Sequence, residues 1–256
     1  TETGEFNFQG SIAFKQVRFE YPVTNITAVS DVSFEVNKGE TLAIVGHTGS
    51  GKSTISSLLM RQYDPQSGEI LIDGKPLSSI NLHALRSQTG IVPQDVFLFS
   101  DTIRENVQFG MNDRTCSEEE LIEACKMTHV YHNIQAFPDG FDTLLGERGV
   151  NLSGGQKQRI SIARALLKKP KLLILDDCLS AVDTETEGII LRNLESGKEN
   201  RTTIIISHRI STIRNATKII VISDGSVIES GNHDSLMRQK GTYFDMHEQQ
   251  LQQEEN

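Results

Sequence analysis

The sequence has little of what would place it within a membrane, outside the cell or on nucleic acid. No apolar run in its 256 residues approaches the roughly 18 residues of a membrane span, and its start shows no signal-peptide pattern. Positive charge is in deficit, with 25 Lys and Arg against 34 Asp and Glu, a net charge of −9. Because broad nucleic-acid binding needs a basic footprint, this balance disfavours that class and leaves room only for a small local basic patch.

Cysteine is also scarce. The three residues Cys116, Cys125 and Cys178 are odd in number and unpatterned. Such a set is typical of a reducing compartment, with ordinary buried or partly buried thiols. The length allows one large domain or two small ones, and 37% hydrophobic residues suffice for a sizeable core. No internal repeat, low-complexity segment or heptad run interrupts the chain before a Gln- and Glu-rich end at residues 249–256.

The most informative stretch is Gly46–Ser53, which fits the P-loop pattern G-x-x-x-x-G-K-[ST]. The run Thr41–Val45 before it predicts a buried strand and Thr54–Met60 after it predicts a helix, which is the context that the motif requires. Glycines let backbone N–H groups approach phosphate oxygens at a helix start, where the helix dipole favours anions. We expect Lys52 to reach the β- and γ-phosphates and Ser53 to ligate Mg²⁺. The predicted phosphate-binding residues are Gly46, Thr48, Gly49, Ser50, Gly51, Lys52, Ser53 and Thr54.

Two further segments have the chemistry of a phosphate site. Leu172–Asp176 predicts a buried parallel strand, and Asp176 at its end either holds Mg²⁺ beside the P-loop or caps the following turn. Ser153 and Gln156 have capping-box spacing before a helical pattern. That glycine-rich helix start either binds phosphate or is simply well capped.

Three single residues stay ambiguous by local sequence. Tyr21 follows the first predicted strand, and its ring either stacks on a purine base or packs on the core. Gln94 ends the strand predicted at Ile91–Gln94. His208 ends the strand predicted at Thr202–Ser207, where a histidine by itself is more often structural.

Outside these motifs, the pattern predicts two accessory regions. Alternating apolar residues change phase between Phe14 and Val17, which predicts an antiparallel strand with a bulge, paired in a small β-layer with Val32–Val36. Residues from Asp95 to about Leu145 carry helical patterns, which predict a helical insertion. The predicted boundaries are a linker over residues 1–10, one domain over 11–248 with a helical insertion over about 95–170, and a frayed tail over 249–256.

Together these motifs resemble the ATP-binding cassette family over nearly the whole chain. The segment Thr143–Gly149 is similar to the T-x-V-G-E-R-G segment of its exporters, with Leu145 where Val is usual. The matching motifs are Walker A at Gly46–Ser53, the signature at Leu152–Gln156, Walker B at Leu172–Asp176, and the A-, Q-, D- and H-loop residues Tyr21, Gln94, Asp183 and His208.

The resemblance implies an α/β fold: a P-loop NTPase core with a mainly parallel sheet, an antiparallel β-subdomain and a helical subdomain. It implies the nucleotide-binding domain of an exporter, at the cytoplasmic face of a membrane, with a transmembrane domain outside this sequence. The segments around Gln94 and Glu147 would lie toward that transmembrane part. Two such domains close around two ATP molecules, each held by one Walker A and the other domain's signature.

Residue roles follow from the resemblance. The signature residues would contact the ATP of a partner domain, whereas Gln94 and His208 would contact the γ-phosphate, Mg²⁺ or attacking water of this chain's own ATP. The implied signature contacts are Ser153, Gly154, Gly155 and Gln156. The implied Mg²⁺ ligands are Ser53, Gln94 and Asp176, and the implied catalytic residues are Asp177, His208 and Gln94.

One position departs from the family pattern. Asp177 stands where the family usually has Glu to polarise the attacking water. A misplacement of about 1 Å at a catalytic group can cost roughly 10²-fold in rate. We therefore expect slow hydrolysis, as in the degenerate subunit of a heterodimeric exporter, although Asp177 could instead act as the base of a slow homodimer.

Three other classes are weighed against a transport motor. A cassette ATPase of translation would carry two cassettes in tandem, and a chromosome-maintenance ATPase would carry a long coiled coil, but this chain has one cassette and no heptad run. In the third class, ATP would only hold two subunits together without turnover.

Overall fold

The computed structural model of this chain describes residues 6–111, 116–146, 151–196 and 201–254. Its strands are β1 (Ile12–Glu20), β2 (Thr27–Val36), β3 (Thr41–Val45), β4 (Ser67–Ile72), β5 (Lys75–Pro76), β6 (Thr89–Val92), β7 (Leu172–Asp176), β8 (Thr202–Ile206), β9 (Lys218–Ser223) and β10 (Ser226–Gly231). Its α-helices are α1 (Lys52–Leu59), α2 (Leu82–Ser87), α3 (Ile103–Gln108), α4 (Glu118–Met127), α5 (Tyr131–Gln135), α6 (Gly154–Leu167), α7 (Thr184–Glu195), α8 (Ile210–Ile213), α9 (His233–Gln239) and α10 (Thr242–Glu254). Short 3-10 helices lie at Leu77–Ser79 and Gly140–Asp142.

A six-stranded sheet in the order β10-β9-β3-β8-β7-β6 forms the centre of the domain. Every neighbouring pair is parallel except β9 and β10, which form an antiparallel hairpin. Alternate residues of β3 enter two different cores, with Leu42 and Ile44 on one face and Ala43 and Val45 on the other. A strand buried on both faces reads as one continuous apolar run, which is why Thr41–Val45 shows no alternation.

The predicted antiparallel layer is a four-stranded sheet in the order β2-β1-β4-β5. Phe14 pairs with Phe34 and Val17 with Val32, with a register shift between the two pairs. The phase change in the sequence therefore does mark a bulge. The rings of Phe14 and Phe34 stack at 4.5 Å between centroids, in the core shared with the central sheet.

The helical region from α3 to α6 encloses a third core of its own. Helix α6 belongs to two cores, because Ile160 and Ala163 face the helical region while Ile162 and Ala165 face the central sheet. The capping box predicted at the start of α6 is present, and α4 begins with a second one formed by Ser117 and Glu120. The α/β fold with these three parts agrees with the predicted fold class.

The chain start differs from the predicted linker. Phe8 is 1% exposed, and its N–H donates to Gln88 Oε1 at 3.0 Å. The Asp73 carboxylate accepts the N–H groups of Gln9 and Gly10. Burial of the Phe8 ring and these hydrogen bonds hold residues 6–10 on the domain. The segment is too short and too polar for its hydrophobic pattern to predict this docking.

The chain end also differs from the predicted frayed tail. Helix α10 continues through Glu254, and the Gln250 side chain is hydrogen-bonded to the backbone near His208. A Gln-rich composition suggested fraying, whereas the described part of this segment is helical and Gln250 ties it to the rest of the domain. In the described ranges, no helix has both the length and the apolarity needed to cross a membrane.

Candidate functional site

The P-loop lies between β3 and α1, in the predicted strand–loop–helix arrangement. Gly51 has φ +102°, and a Cβ there would lie 2.1 Å from the Ala28 carbonyl oxygen. Only glycine tolerates both the left-handed backbone and this close approach to β2. The turn between β9 and β10 also contacts the P-loop, since the Gly225 N–H donates to the Ser50 carbonyl at 3.1 Å.

Lys52 lies at the start of α1 and folds back over the loop. Its Nζ donates to the carbonyl oxygens of Gly46 at 2.8 Å and His47 at 2.7 Å. Burial lowers the pKa of Lys52, while the nearby carboxylates of Asp177 and Asp176 act in the opposite direction. An ammonium group with exchangeable donors is thus held where a phosphate could take over its bonds.

Asp176 ends β7 beneath the first turn of α1. Its Oδ1 accepts a hydrogen bond from Ser53 Oγ at 3.1 Å, and its Oδ2 accepts one from Ser56 Oγ at 3.2 Å. Burial raises the pKa of Asp176, and the two serine hydrogen bonds oppose that rise. Hydroxyl and carboxylate oxygens side by side are donors that suit Mg²⁺.

The sequence prediction missed Ser56. It lies one turn after Ser53 on the same face of α1, and it is buried. The available signal was a polar residue on the apolar side of a helix, which needs a partner when it is buried.

Asp177 and His208 meet directly. Asp177 Oδ1 lies 2.8 Å from His208 Nδ1, because β7 and β8 are parallel neighbours and both residues follow the ends of these strands. Asp177 has φ +47°, a left-handed backbone that Asp adopts more readily than most residues. Its N–H donates to the Ile206 carbonyl at 2.8 Å, which anchors the carboxylate beside the histidine.

These groups line one cleft of about 430 Å³. Tyr21 lies at its edge, where its hydroxyl is 3.1 Å from Thr54 Oγ1 and its ring packs edge-on against Phe19 and Tyr63. The tyrosine thus both faces the cleft and packs on the core. The predicted site residues that line the cleft are Tyr21, Thr48, Gly49, Gly51, Lys52, Ser53, Thr54, Gln94, Asp176, Asp177 and His208. Gly46 and Ser50 contribute through their contacts with Lys52.

The signature residues Ser153–Gln156 do not line this cleft. They form the start of α6, where Ser153 Oγ accepts the Gln156 N–H at 3.2 Å. A Cβ at Gly155 would lie 2.8 Å from the Ala181 carbonyl oxygen, so the helix start packs tightly on the segment after Asp177. The predicted D-loop residue Asp183 caps α7 through Thr186, and these hydrogen bonds lower the pKa of Asp183.

Two further residues that the sequence prediction missed hold the D-loop. Gln158 on α6 accepts the Ala181 N–H at 2.9 Å. Arg209, next to His208, donates to the Ser180 carbonyl at 2.7 Å. Both contacts depend on tertiary packing, and neither residue stands out by its local pattern. Glu147, predicted to face a transmembrane part, lies outside the described residues together with Arg148 and Gly149.

A glycine loop with its lysine and serine, opposite a carboxylate at a strand end, defines a P-loop nucleotide-binding domain. The sequence model described as ABC transporter matches residues 29–180, more than half of the chain. The chain therefore belongs to the ABC transporter family, and the cleft lies on its ATP-binding domain.

Individual relatives agree with this assignment. The putative multidrug export ATP-binding/permease protein YgaD of Bacillus subtilis is 49% identical over 92% of this chain and 40% of its own length. Multidrug resistance protein 1 of Entamoeba histolytica is 46% identical over 96% of this chain and 19% of its own length. The solved structure of a bacterial Atm1-family ABC exporter with ATP bound is similar at a TM-score of 0.90 and 43% identity, over 95% of this chain and 42% of that one.

The predicted resemblance to the nucleotide-binding domain of ABC exporters is confirmed by these likenesses. The chain spans less than half the length of the relatives it matches.

Proposed function

We propose that this domain binds ATP with Mg²⁺ in the cleft and, by closing with a second such domain, powers export of a substrate through a transmembrane partner. It would act at the cytoplasmic face of a membrane. The observation that carries the proposal is the convergence of Lys52, Ser53, Asp176, Asp177 and His208 in one cleft. The names of the relatives, which include multidrug export and an Atm1-family exporter, support the transport role.

ATP would lie along the cleft from Tyr21 to the P-loop. The base would stack on Tyr21. The phosphate oxygens would accept hydrogen bonds from the loop N–H groups and from Lys52 Nζ, which now donates to two carbonyl oxygens. Ser53, Asp176 and Gln94 would hold Mg²⁺, which supplies charge neutralisation at the phosphates. No group of three His, Cys, Asp or Glu side chains among the described residues is arranged to hold a metal alone, so phosphate oxygens would complete its shell.

Hydrolysis would use the pair of Asp177 and His208. The Asp177 carboxylate can accept a proton from water as the water attacks the γ-phosphate. His208, at 2.8 Å from Asp177, can orient that carboxylate and contact the γ-phosphate. Asp177 reaches one methylene less far than a glutamate, so we infer a slow site.

A second nucleotide-binding domain would complete the site. The start of α6 carries N–H groups suited to phosphate, yet Ser153 and Gly155 do not line the chain's own cleft. As the family resemblance implies, Ser153 and Gly155 would instead bind the ATP that is held by the P-loop of the partner domain. The slow site inferred for Asp177 favours a heterodimer in which this chain's signature serves a more active partner.

An exposed aromatic surface supports a transmembrane partner. Phe97 and Phe109 are 51% and 53% exposed, shortly after Gln94 in the chain. Both rings pack on Phe99, and the Arg164 guanidinium lies 5.5 Å from the Phe109 ring centroid. Beside them is a groove of about 230 Å³. Clustered exposed apolar side chains of this kind mark protein interaction sites.

The alternative is a module that binds ATP to hold two subunits together with little turnover of its own. The short carboxylate of Asp177 is the observation that favours it. Phosphate release by the isolated chain and by the chain with its partner domain distinguishes the two, because a motor releases phosphate and a dimerisation module does not.

Nucleotide binding is tested by Lys52→Ala. Removing the ammonium group should strongly weaken ATP binding while far-ultraviolet circular dichroism stays unchanged, since Lys52 Nζ is bonded to carbonyl oxygens of the loop. Titration with a fluorescent ATP analogue measures the effect, and Lys38→Ala, on the exposed turn before β3, serves as the control. An unchanged affinity in Lys52→Ala would contradict the proposed site.

A further inference from the structure

The H-loop residue His208 is followed by a short helix whose start has no cap of its own. Helix α8 spans only Ile210–Ile213, and its N-cap residue Arg209 makes no side-chain capping bond. The first N–H groups of a helix have no partner within the helix and need one from elsewhere. Here the partner comes from the far end of the chain.

Gln250 on α10 supplies that partner. Its Oε1 accepts the Ile210 N–H at 2.8 Å, and its Nε2 donates to the His208 carbonyl at 2.6 Å. A primary amide carries an acceptor and a donor side by side, which matches one N–H and one C=O two residues apart. The two bonds form a clamp across the backbone on the C-terminal side of His208.

Helix α10, which carries Gln250, is anchored to the domain by its buried side chains. Tyr243 and Met246 of α10 are buried in the core of the central sheet, at 0% and 7% exposure. The Glu229 carboxylate also accepts the Tyr243 N–H at 3.1 Å, near the start of α10. Residues 243, 246 and 250 follow helical i, i+3, i+7 spacing, so Gln250 continues the buried stripe as its polar end.

We propose that Gln250 is a positioning residue for the H-loop, holding His208 at Asp177 and at the γ-phosphate. The side chain of His208 is 55% exposed, so its ring position depends on the backbone that carries it. Strand β3 holds that backbone on one side, because the Ser207 N–H donates to the Ile44 carbonyl at 3.2 Å, and Gln250 holds it on the other. Helix α10 thereby supports the candidate site from outside the cleft. The catalytic consequence rests on the proposed ATPase function, whereas the clamp itself does not.

The direct test uses Gln250→Ala and Gln250→Glu, with Gln249→Ala as the matched control. Gln249 is the same residue type, one position earlier on the same helix, and exposed. Glu keeps an acceptor but loses the donor to the His208 carbonyl. Amide hydrogen exchange of Ile210, read by NMR on the full chain, should accelerate about 5-fold in Gln250→Ala, the size expected for one lost hydrogen bond. The His208 ring resonances should shift in both Gln250 variants and stay in place in Gln249→Ala.

Turnover gives the functional arm. We expect both Gln250 variants to melt at a temperature similar to that of Gln249→Ala. Their kcat should nevertheless fall about 10-fold, because a displacement below 1 Å is costly at a catalytic group. KM for ATP should change less than about 2-fold, since Tyr21 and Lys52, which would supply most of the binding to the base and the phosphates, do not contact Gln250.

The outcomes separate the two proposals. Unchanged Ile210 exchange and unchanged His208 resonances would overturn the clamp. A kcat that falls only in step with the melting temperature would overturn the role of Gln250 in positioning His208 for turnover. Fluorescent-nucleotide titration of the unmodified chain is run alongside. Absence of ATP binding there would overturn the proposed function and leave the clamp to be decided by exchange and ring resonances alone.

Discussion

At the scale of single residues, Tyr21 is where the cleft meets the core. Tyr21→Ala should weaken binding of ATP more than binding of inorganic triphosphate, since stacking on a base contributes roughly 1–3 kcal/mol. Tyr21→Phe removes only the hydroxyl contact with Thr54 Oγ1 and should keep most of the affinity for ATP. Isothermal titration with both ligands measures the difference. Equal losses for ATP and triphosphate would assign Tyr21 to the core alone.

Asp177 is the residue whose identity most affects the predicted rate. If its carboxylate is merely too short to place water, Asp177→Glu should raise ATP turnover, by as much as about 10²-fold where a 1 Å error is the whole defect. The gain should be smaller if Glu fits less well than Asp at φ +47°. Steady-state phosphate release at high protein concentration gives the rate.

The control for this prediction is Asp177→Asn, which keeps the size of the side chain and removes its charge. It should abolish what turnover the unmodified chain has. If the unmodified chain hydrolyses ATP efficiently and Asp177→Glu slows it, Asp177 is already a working base. The degenerate-subunit hypothesis would then be abandoned.

At the scale of elements, the start of α6 and the D-loop are packed as one unit. Gly155→Ala would place a Cβ 2.8 Å from the Ala181 carbonyl oxygen, and overpacking of this kind costs about 1–3 kcal/mol. Gly188→Ala in α7 is the matched control, since its Cβ would lie 3.4 Å from the mobile end of Arg192. That change should stabilise the domain by about 0.5–1 kcal/mol, because alanine is the better helix former.

Urea unfolding followed by circular dichroism measures both variants. Opposite signs are expected, with the midpoint lowered for Gly155→Ala and raised for Gly188→Ala. If Gly155→Ala proves as stable as the unmodified chain, the contact between α6 and the D-loop must be looser than the structure indicates.

At the scale of the whole molecule, the proposed dimer predicts that one chain's signature acts on the other chain's ATP. Ser153→Arg introduces a bulky cation at the start of α6, outside the chain's own cleft. In a heterodimer it should reduce hydrolysis at the partner's site more than at this chain's own. Nucleotide binding to the isolated chain should stay unchanged, because Ser153 contributes nothing to that cleft.

Hydrolysis at the two sites is resolved by inactivating one Walker A lysine at a time in a co-expressed pair. Size-exclusion chromatography with ATP reports dimer formation in the same samples. A Ser153→Arg chain that damages only its own site would refute the shared-site arrangement.

Much of the central architecture follows from the sequence because its signals are contiguous. The P-loop, its strand and its helix occupy one uninterrupted stretch, and burial on both faces makes β3 and β7 plain apolar runs. The bulge in β1 and the capping box at the start of α6 are likewise visible as local patterns. These local patterns suffice to propose the P-loop and Asp176 for the cleft. Tyr21 stayed ambiguous, and the roles of Gln94, Asp177 and His208 came from the resemblance to the family.

What only the tertiary structure decided is which polar groups meet. Asp177 and His208 are 31 residues apart, and they touch because β7 and β8 are parallel neighbours. Gln250 bonds the backbone of His208 across 42 residues, and Phe8 bonds Gln88 across 80, so both of these segments belong to the folded domain. Periodicity identifies a buried face, but a hydrogen bond needs two groups at one distance and angle. Those are set by how helices and strands dock, which no single stretch of this sequence encodes.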